Sequence, residues 1–493
     1  MAHYDFDMGI LGAGAAGLTV AAGAAQVGAK VLLVEKSDRL GGDCLYYGCV
    51  PSKTLIKTAQ VYHLMREAGR FGLPVVQVPR PIYSEIAARI QSVIAAIQQH
   101  DSPERFCALG VMVEYGPSTF VDDHSILLNG KRLSAKYWVI ATGSSAAAPP
   151  IPGLAETGFI TNREIYSLDR LPASMVIIGG GPIGVEFAQA FSRLGTRVAV
   201  VESFGQILNN DDRDMADMVM DVLRGEGVEF FLDSAVTAVG SHGVEKEVTF
   251  TQGTQTRTVR GEVLLVATGR KANLEDIGLE AAGVERDKKG LRLDDRLRTT
   301  QKHIFGAGDV TGTYQFTHAA GYEGTIVLTN AMFHLPRKAR YAYMPWVTYA
   351  DPELASIGMN EKSARAAGVD YRVWSEEFSR NDRSLAEGQT TGKIKVLLDD
   401  KGHPIGVQIL GPEAGDLLAE WVTVMNGRVK LSTLASAVHP YPTLGEINKR
   451  VAANFLATKV FSENMREMLT FFFGLKGRAC SQDNSRPDAS DRL

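Results

Sequence analysis

Met8-Gly-Ile-Leu-Gly12-Ala-Gly14-Ala-Ala-Gly17 is a short apolar strand that runs into a glycine-rich turn and then into an alanine-rich helical stretch. A second apolar strand, Val31 to Val34, follows and ends in Glu35. Strand, Gly-x-Gly-x-x-Gly, helix, strand and acid, in this order, make up the dinucleotide fingerprint in its required context. The glycines form the tight turn and let the backbone approach a pyrophosphate, while the helix N-terminus faces the phosphates. Glu35 can accept ribose hydroxyls. Alone, the glycine pattern is weak; its surroundings make it strong.

The same unit recurs. Val176-Ile-Ile is a strand, Gly179-Gly-Gly181-Pro-Ile-Gly184 the loop, Val185 to Leu194 the helix, and strand Val198 to Val201 ends in Glu202. The step from Gly179 to Glu202 equals that from Gly12 to Glu35. Each unit is followed by alternating short strands, read as β-meanders over 111–140 and 228–266. Each closes on an apolar strand with an Ala-Thr-Gly turn, at Thr142-Gly143 and at Thr268-Gly269. The chain is an internal duplication of a dinucleotide module.

Between the first module's acid and its closure stands Gly41-Gly42-Asp43-Cys44-Leu-Tyr-Tyr-Gly-Cys49-Val-Pro-Ser-Lys53. Pro51 is preorganised for a first helical turn, so a helix is expected to start at Val50 or Pro51. Both sulfurs then lie at the positive end of a helix dipole, where thiolates are stabilised. Zinc pairs usually have a shorter loop and a second Cys or His pair downstream, which the sequence lacks. With four cysteines in 493 residues (Cys44, Cys49, Cys107 and Cys480), chance adjacency is a poor account. The pair reads as a dithiol that cycles with a disulfide. Cys107 has no partner in sequence and reads as a buried structural thiol.

The length suggests about three domains. A hydrophobic content of 45% and a charged content of 22% are ordinary for a globular protein with large cores. A net charge of -4 gives no reason to expect nucleic acid as a partner. The few cysteines point to a reducing compartment. The chain opens almost at once on a strand, without the pattern of a signal peptide, and no apolar run is long enough to span a bilayer; a cytoplasmic location is expected. Ile82, Ile86, Ile90, Ile94 and Ile97 recur near helical spacing and predict an amphipathic helix. Ile304-Phe-Gly-Ala-Gly-Asp309 delivers an acid suited to a polyol chain. From Tyr343 a third unit of strands and helices begins, with a hairpin at Asp399-Asp-Lys-Gly402 and helices near 413–426 and 444–458. Phe471-Phe-Phe473 is read as packing on a second copy, a membrane-surface contact being the alternative. Ala479 to Leu493 is polar and expected to be disordered.

Two dinucleotide modules with a cysteine pair inside the first resemble the flavin-dependent pyridine nucleotide–disulfide oxidoreductases over about residues 5–465. The resemblance implies an α/β fold with two Rossmann-like dinucleotide-binding domains, for FAD and NAD, and a C-terminal α+β dimerisation domain. It implies an FAD-binding domain in two parts, 1–150 and 271–342, an NAD(P)-binding domain at 151–270, a dimerisation domain at 343–470, and a partly disordered tail at 471–493. FAD would be held by Gly12, Gly14, Gly17, Glu35, Lys36, Gly42, Thr142, Gly143 and Asp309. The nicotinamide nucleotide would be held by Gly179, Gly181, Gly184, Glu202 and Gly269. Glu202 suits the free ribose hydroxyls of NADH and repels the 2′-phosphate of NADPH. Lys53 and Glu186 match the lysine–glutamate pair beside the flavin. Cys49 matches the thiol that lies against the flavin, and Cys44 the one that meets the acceptor. A homodimer with shared active sites is implied, with no nucleic acid partner and no resident metal.

At the C-terminal stretch the sequence departs from the class. Disulfide reductases carry His-Pro-Thr-x-x-Glu there, the histidine moving the proton to a departing thiol. This chain reads Val438-His439-Pro-Tyr441-Pro-Thr-Leu-Gly-Glu446, which puts Tyr441 at the base position and His439 two residues upstream. Tyrosine titrates near pH 10 and is a poor proton shuttle at neutrality. Mercuric reductases also carry a tyrosine there, and soft Hg(II) binds thiolates without needing a protonated leaving sulfur. They usually end in a vicinal cysteine pair, where this chain has only Cys480. Asp43 and Tyr46 stand where threonine and asparagine are common. The reading is a mercuric reductase-like oxidoreductase acting on a metal ion or small thiol-bound acceptor. The alternatives are a dihydrolipoamide dehydrogenase using His439 and a non-catalytic flavin redox sensor.

Overall fold

The structure, a computed structural model, describes residues 3–476. The first fingerprint folds as β1 (Phe6–Leu11), α1 (Ala15–Gln26) and β2 (Val31–Glu35). The chain then enters the helices α2 (Gly42–Tyr46), α3 (Cys49–Arg66), α4 (Tyr83–Gln98) and α5 (Pro103–Ala108) before β3 (Val111–Tyr115). Strands β1, β2 and β3 pair in parallel. Val31 to Val34 are buried throughout, as expected of a strand covered on both faces. β4 (Ser118–Phe120), β5 (Ser125–Leu128) and β6 (Lys131–Ile140) form a meander. β6 has two roles: Lys131 to Ser134 pair antiparallel with β5, and Ala135 to Ile140 pair parallel with β1.

β7 (Ser144–Ala146) and α6 (Leu154–Thr157) lead into the second module: β8 (Ser174–Ile178), α7 (Pro182–Arg193), β9 (Arg197–Val201), α8 (Arg213–Gly225) and β10 (Glu229–Phe231). The antiparallel β11 (Ser234–His242), β12 (Glu245–Gln252) and β13 (Gln255–Gly261) follow, and β14 (Val263–Val266) completes a parallel sheet of order β10-β9-β8-β14. β15 (Arg270–Ala272) returns to pair with β7, and β16 (Ile304–Gly306) joins the first sheet beside β6. α9 (Thr317–Met332) then packs on α1. Small residues permit this approach: a Cβ on Gly23 would meet Leu328 at 2.3 Å.

The third unit is an antiparallel sheet of order β17-β18-β21-β20-β19, built from β17 (Pro345–Thr348), β18 (Glu353–Gly358), β19 (Arg372–Glu377), β20 (Lys393–Leu398) and β21 (Pro404–Gly411). α10 (Glu361–Ala367) and α11 (Asp382–Glu387) lie between its strands in sequence. α12 (Ala414–Asn426), α13 (Leu431–Ser436), α14 (Glu446–Val460) and α15 (Glu463–Phe473) follow it. Trp421 of α12 is fully buried and donates to Asn448 of α14 at 2.8 Å.

Four sequence expectations need correction. Cys107 is exposed, not buried, because the short α5 turns Phe106 inward and the next position faces out. β3 and β10 are not meander strands: each extends a parallel sheet, so the meanders are β4-β5-β6 and β11-β12-β13. In α4 the buried face is Ile86, Ile90 and Ile94, while Ile82 precedes the helix and is exposed, as is Ile97. α3 also starts slightly earlier than expected, at Cys49 itself. Phe471, Phe472 and Phe473 are exposed on α15. Cys480 and the stretch 479–493 lie outside the described residues. No helix among the described residues is long and apolar enough to cross a membrane.

Buried charge joins the second and third units. Lys395, 2% exposed, is enclosed by Asp212 at 2.6 Å, Asp214 at 2.7 Å and Glu361 at 3.1 Å. Beside it, Asp211 Oδ1 accepts from Trp346 Nε1, Ser356 Oγ and Gln408 Nε2. Burial pushes the Asp211 carboxyl up to about 6. The folded state therefore holds this proton where the unfolded chain has lost it, so stability falls as pH rises from about 4 to about 6 and then levels. Asp211→Asn keeps an acceptor at Oδ1 and removes the ionisation. It is expected to gain about 2 kcal/mol over the parent protein at neutral pH and nothing near pH 4, read by urea unfolding across that range. A gain independent of pH would overturn this account.

Candidate functional site

Cys44 lies in α2, and Cys49 is the first residue of α3, capped by Gly48. The 18-residue α3 aims its N-terminus at the Cys49 sulfur, which favours the thiolate. A hydrogen bond from the Cys44 thiol, then Thr317 and the Lys53 charge, pull Cys49 down to about 6. The same sulfur–sulfur contact, with burial, raises Cys44. The two thiols are differentiated: one is ready as a thiolate, and the other holds its proton. Thr317 Oγ1 stands 3.4 Å from Cys49 Sγ, on the first residue of α9.

Lys53 follows Cys49 by one helical turn and so shares its face of α3. Its ammonium meets Glu186 Oε2 of α7 at 2.9 Å. Glu186 Oε1 accepts from the Tyr349 backbone N–H at 2.9 Å, and Lys53 Nζ lies 4.3 Å from the centre of the Tyr349 ring. The three units of the chain meet at this pair.

The cysteines face a continuous cleft of about 2190 Å³ that runs from Glu35 to Glu202. The two modules line its ends in the same way. Ala13 N donates to Glu35 Oε2 at 2.7 Å, and Gly180 N donates to Glu202 Oε2 at 2.5 Å. Each acid thus fixes its own glycine loop as well as closing its strand. A Cβ at Gly17 would lie 1.9 Å from Gly12 O, and one at Gly184 would lie 2.0 Å from Gly179 O. Above Gly181 there is open space, and above Gly14 the nearest atom is Gly42 Cα at 3.9 Å. Closed beneath and open above, both loops fit a pyrophosphate laid on backbone N–H groups.

Gly42 and Gly143 adopt positive φ at the same end, and Gly269 does so at the second module's closure. Thr142 donates to Asn273 O at 2.7 Å. Lys36 is exposed at the cleft edge. Asp309 Oδ2 accepts from Ser144 Oγ at 2.6 Å. Arg270 donates to Ser144 and reaches Asp43 Oδ2 at 2.7 Å, so the unusual acid beside Cys44 is charge-balanced.

At the C-terminal stretch, His439 is turned inward and its side chain is 11% exposed; Nε2 meets Glu420 Oε1 of α12 at 3.0 Å. Tyr441 is 69% exposed and donates to Asp382 Oδ2 at 3.0 Å. Glu446 sits in the first turn of α14 and bonds neither ring. Thr317, Tyr349, Arg270, Ser144, Asp382 and Glu420 were not singled out from sequence, and no spacing pattern marks them. The structure brings Cys44, Cys49, Lys53 and Glu186 together in one chain and leaves His439, Tyr441 and Glu446 on a separate face of the third unit.

Residues 6–324 match the model described as pyridine nucleotide-disulphide oxidoreductase, and residues 344–452 match the dimerisation domain of those enzymes. The chain belongs to this family. A mercuric reductase of Bacillus cereus is 30% identical, over 92% of this chain and 72% of its own length. A dihydrolipoyl dehydrogenase of Bacillus subtilis is 31% identical, over 89% of this chain and 96% of its own. Among solved structures, the Cu(II) complex of the HOCl-induced flavoprotein disulfide reductase RclA from Escherichia coli superposes with a TM-score of 0.81 at 27% identity, covering 92% of this chain and 100% of that one. The fold is that of the flavoprotein disulfide reductases. Family members are FAD-dependent oxidoreductases that use a pyridine nucleotide, and the second match supports a homodimer. The loop at Gly12, Gly14 and Gly17, like that at Gly179, Gly181 and Gly184, fits the pyrophosphate of a dinucleotide such as FAD.

Proposed function

We propose that the protein carries electrons from NADH through FAD and the Cys44–Cys49 pair to a soft, thiol-bound acceptor, with Hg(II) as the model substrate. The observation that carries this reading is the C-terminal stretch. Tyr441 is the ring offered to solvent, while His439 is committed to Glu420 within its own unit. A disulfide acceptor needs a proton for its departing thiolate, and a tyrosine whose hydrogen bond to Asp382 raises its pKa is a poor donor at neutrality. A soft metal ion needs no such proton.

When bound, FAD takes up hydride equivalents and supplies them two electrons at a time to the disulfide. Around it, Cys49 is held as a thiolate beside Lys53, Glu186 fixes the ammonium, and Cys44 takes the role toward the acceptor. Asp309 and Ser144 hold the ribityl side. In the second module Glu202 favours NADH, and residues 203–210 contain no lysine or arginine to receive a 2′-phosphate. We assign FAD to 1–150 with 271–342, the nicotinamide nucleotide to 151–270 and dimer contacts to 343–470, with each protomer completing the site of its partner.

A second reading is favoured by one contact: the His439–Glu420 pair is a histidine–carboxylate couple of the kind disulfide reductases use, which fits a dihydrolipoamide dehydrogenase. The two are separated by NADH oxidation with Hg(II) in excess thiol against lipoamide. The expected result is turnover with mercury and little with lipoamide; fast lipoamide turnover with inert mercury would reverse the assignment. Tyr441→His is expected to raise lipoamide turnover by about tenfold, because it restores a proton donor at neutral pH. A flat response would place the limitation elsewhere.

A further inference from the structure

The Lys53–Glu186 pair is built from α3 and α7, but what covers it comes from the third unit. Tyr349, in the turn between β17 and β18, makes two independent contacts there. Its backbone N–H holds Glu186 Oε1 at 2.9 Å, and its ring stands over the Lys53 ammonium at 4.3 Å. The Lys53 side chain is 34% exposed and lines the cleft, so the pair sits at the cleft wall rather than in the core. The groups that act on the ammonium are Glu186 of α7, Cys49 at the start of α3 and Tyr349 itself; Cys44 and Thr317 act on Cys49, and Glu353 on Tyr349. The phenol is raised above its ordinary value by burial and stays neutral across the working pH range.

We propose that Tyr349 is a positioning residue of the electron-transfer centre: its ring covers one face of the Lys53 ammonium and, with the N–H clamp on Glu186, holds the ammonium against Cys49 and the flavin. The inference rests on the reading that Lys53 and Glu186 lie beside FAD. The physical argument is screening. An ammonium that turns into a water-filled cleft loses most of its field within a few ångströms, whereas one pinned between a carboxylate and a π-face keeps it. The third unit thus contributes to the redox centre of its own chain as well as to the dimer.

The test is the midpoint potential of the bound flavin, measured in the FAD-loaded protein against a reference dye. Tyr349→Phe keeps the ring and is expected to match the parent. Tyr349→Ala uncovers that face of the ammonium and is expected to shift the oxidised-to-reduced ratio at fixed potential by about fivefold toward oxidised, about 20 mV more negative. Tyr349→Leu keeps an apolar plug without the π-face and is expected to fall between, which guards against an Ala protein that folds poorly. In a Lys53→Met background, which itself lowers the potential, Tyr349→Ala is expected to add nothing. Fully additive shifts, or an Ala protein at the parent potential, would overturn the role of Tyr349. An unchanged potential in Lys53→Met alone would instead remove the placement of Lys53 beside the flavin, and this proposal with it.

Discussion

Cys44→Ser protein is expected to retain less than about one-thousandth of the acceptor turnover of the parent, with mercury or lipoamide alike. The hydroxyl can still donate to Cys49, so Cys49 stays a thiolate and the helix start is undisturbed. On the proposed electron path, what is lost is the group that meets the acceptor, while the Thr317 and Lys53 interactions of Cys49 remain. NADH is therefore expected to bleach the flavin absorbance of the variant at close to the parental rate, because none of the nucleotide-binding residues is touched. Stopped-flow absorbance and steady-state NADH oxidation check the two halves separately. Loss of both would mean that the change damaged the site as a whole; retention of acceptor turnover would remove Cys44 from the electron path.

Gly17→Ala is expected to yield protein without FAD. Its Cβ would lie 1.9 Å from Gly12 O, a separation that only a shift of the loop can relieve, and that loop is the cradle. Affinity for FAD is expected to fall by more than about a hundredfold, and thermal stability to fall with it, since overpacking at a rigid turn costs about 1–3 kcal/mol. Gly14→Ala is the informative comparison. There a Cβ meets nothing nearer than Gly42 Cα at 3.9 Å, so the protein should fold as the parent does while the methyl group occupies the side open to the pyrophosphate. Flavin content after purification and melting temperature measured on the same samples separate the two effects. Full FAD occupancy in Gly17→Ala would mean that the first module does not hold the cofactor through this loop.

The sequence alone determined the elements whose causes are local. A glycine turn between an apolar strand and a helix, with an acid at the next strand's end, leaves few foldings open, and its repetition revealed two modules. The cysteine pair was legible for the same reason, since Pro51 signals a helix start within two residues of Cys49. Only the tertiary structure decided what those groups meet. Thr317 reaches Cys49 across 268 residues, Glu186 reaches Lys53 across 133, and Tyr349 reaches Glu186 across 163. No periodicity encodes such pairings, because they follow from how sheets and helices stack. The same limit explains the errors. Cys107 reads as a core thiol until α5 is seen to be too short to bury two neighbouring positions. β3 and β10 look like meander strands because alternation does not say which partner a strand will find. His439 and Tyr441 are two residues apart in sequence and equivalent on paper. Packing against α12 gives the histidine to Glu420 and leaves the tyrosine facing outward, because a buried imidazole needs a polar partner and an exposed phenol does not.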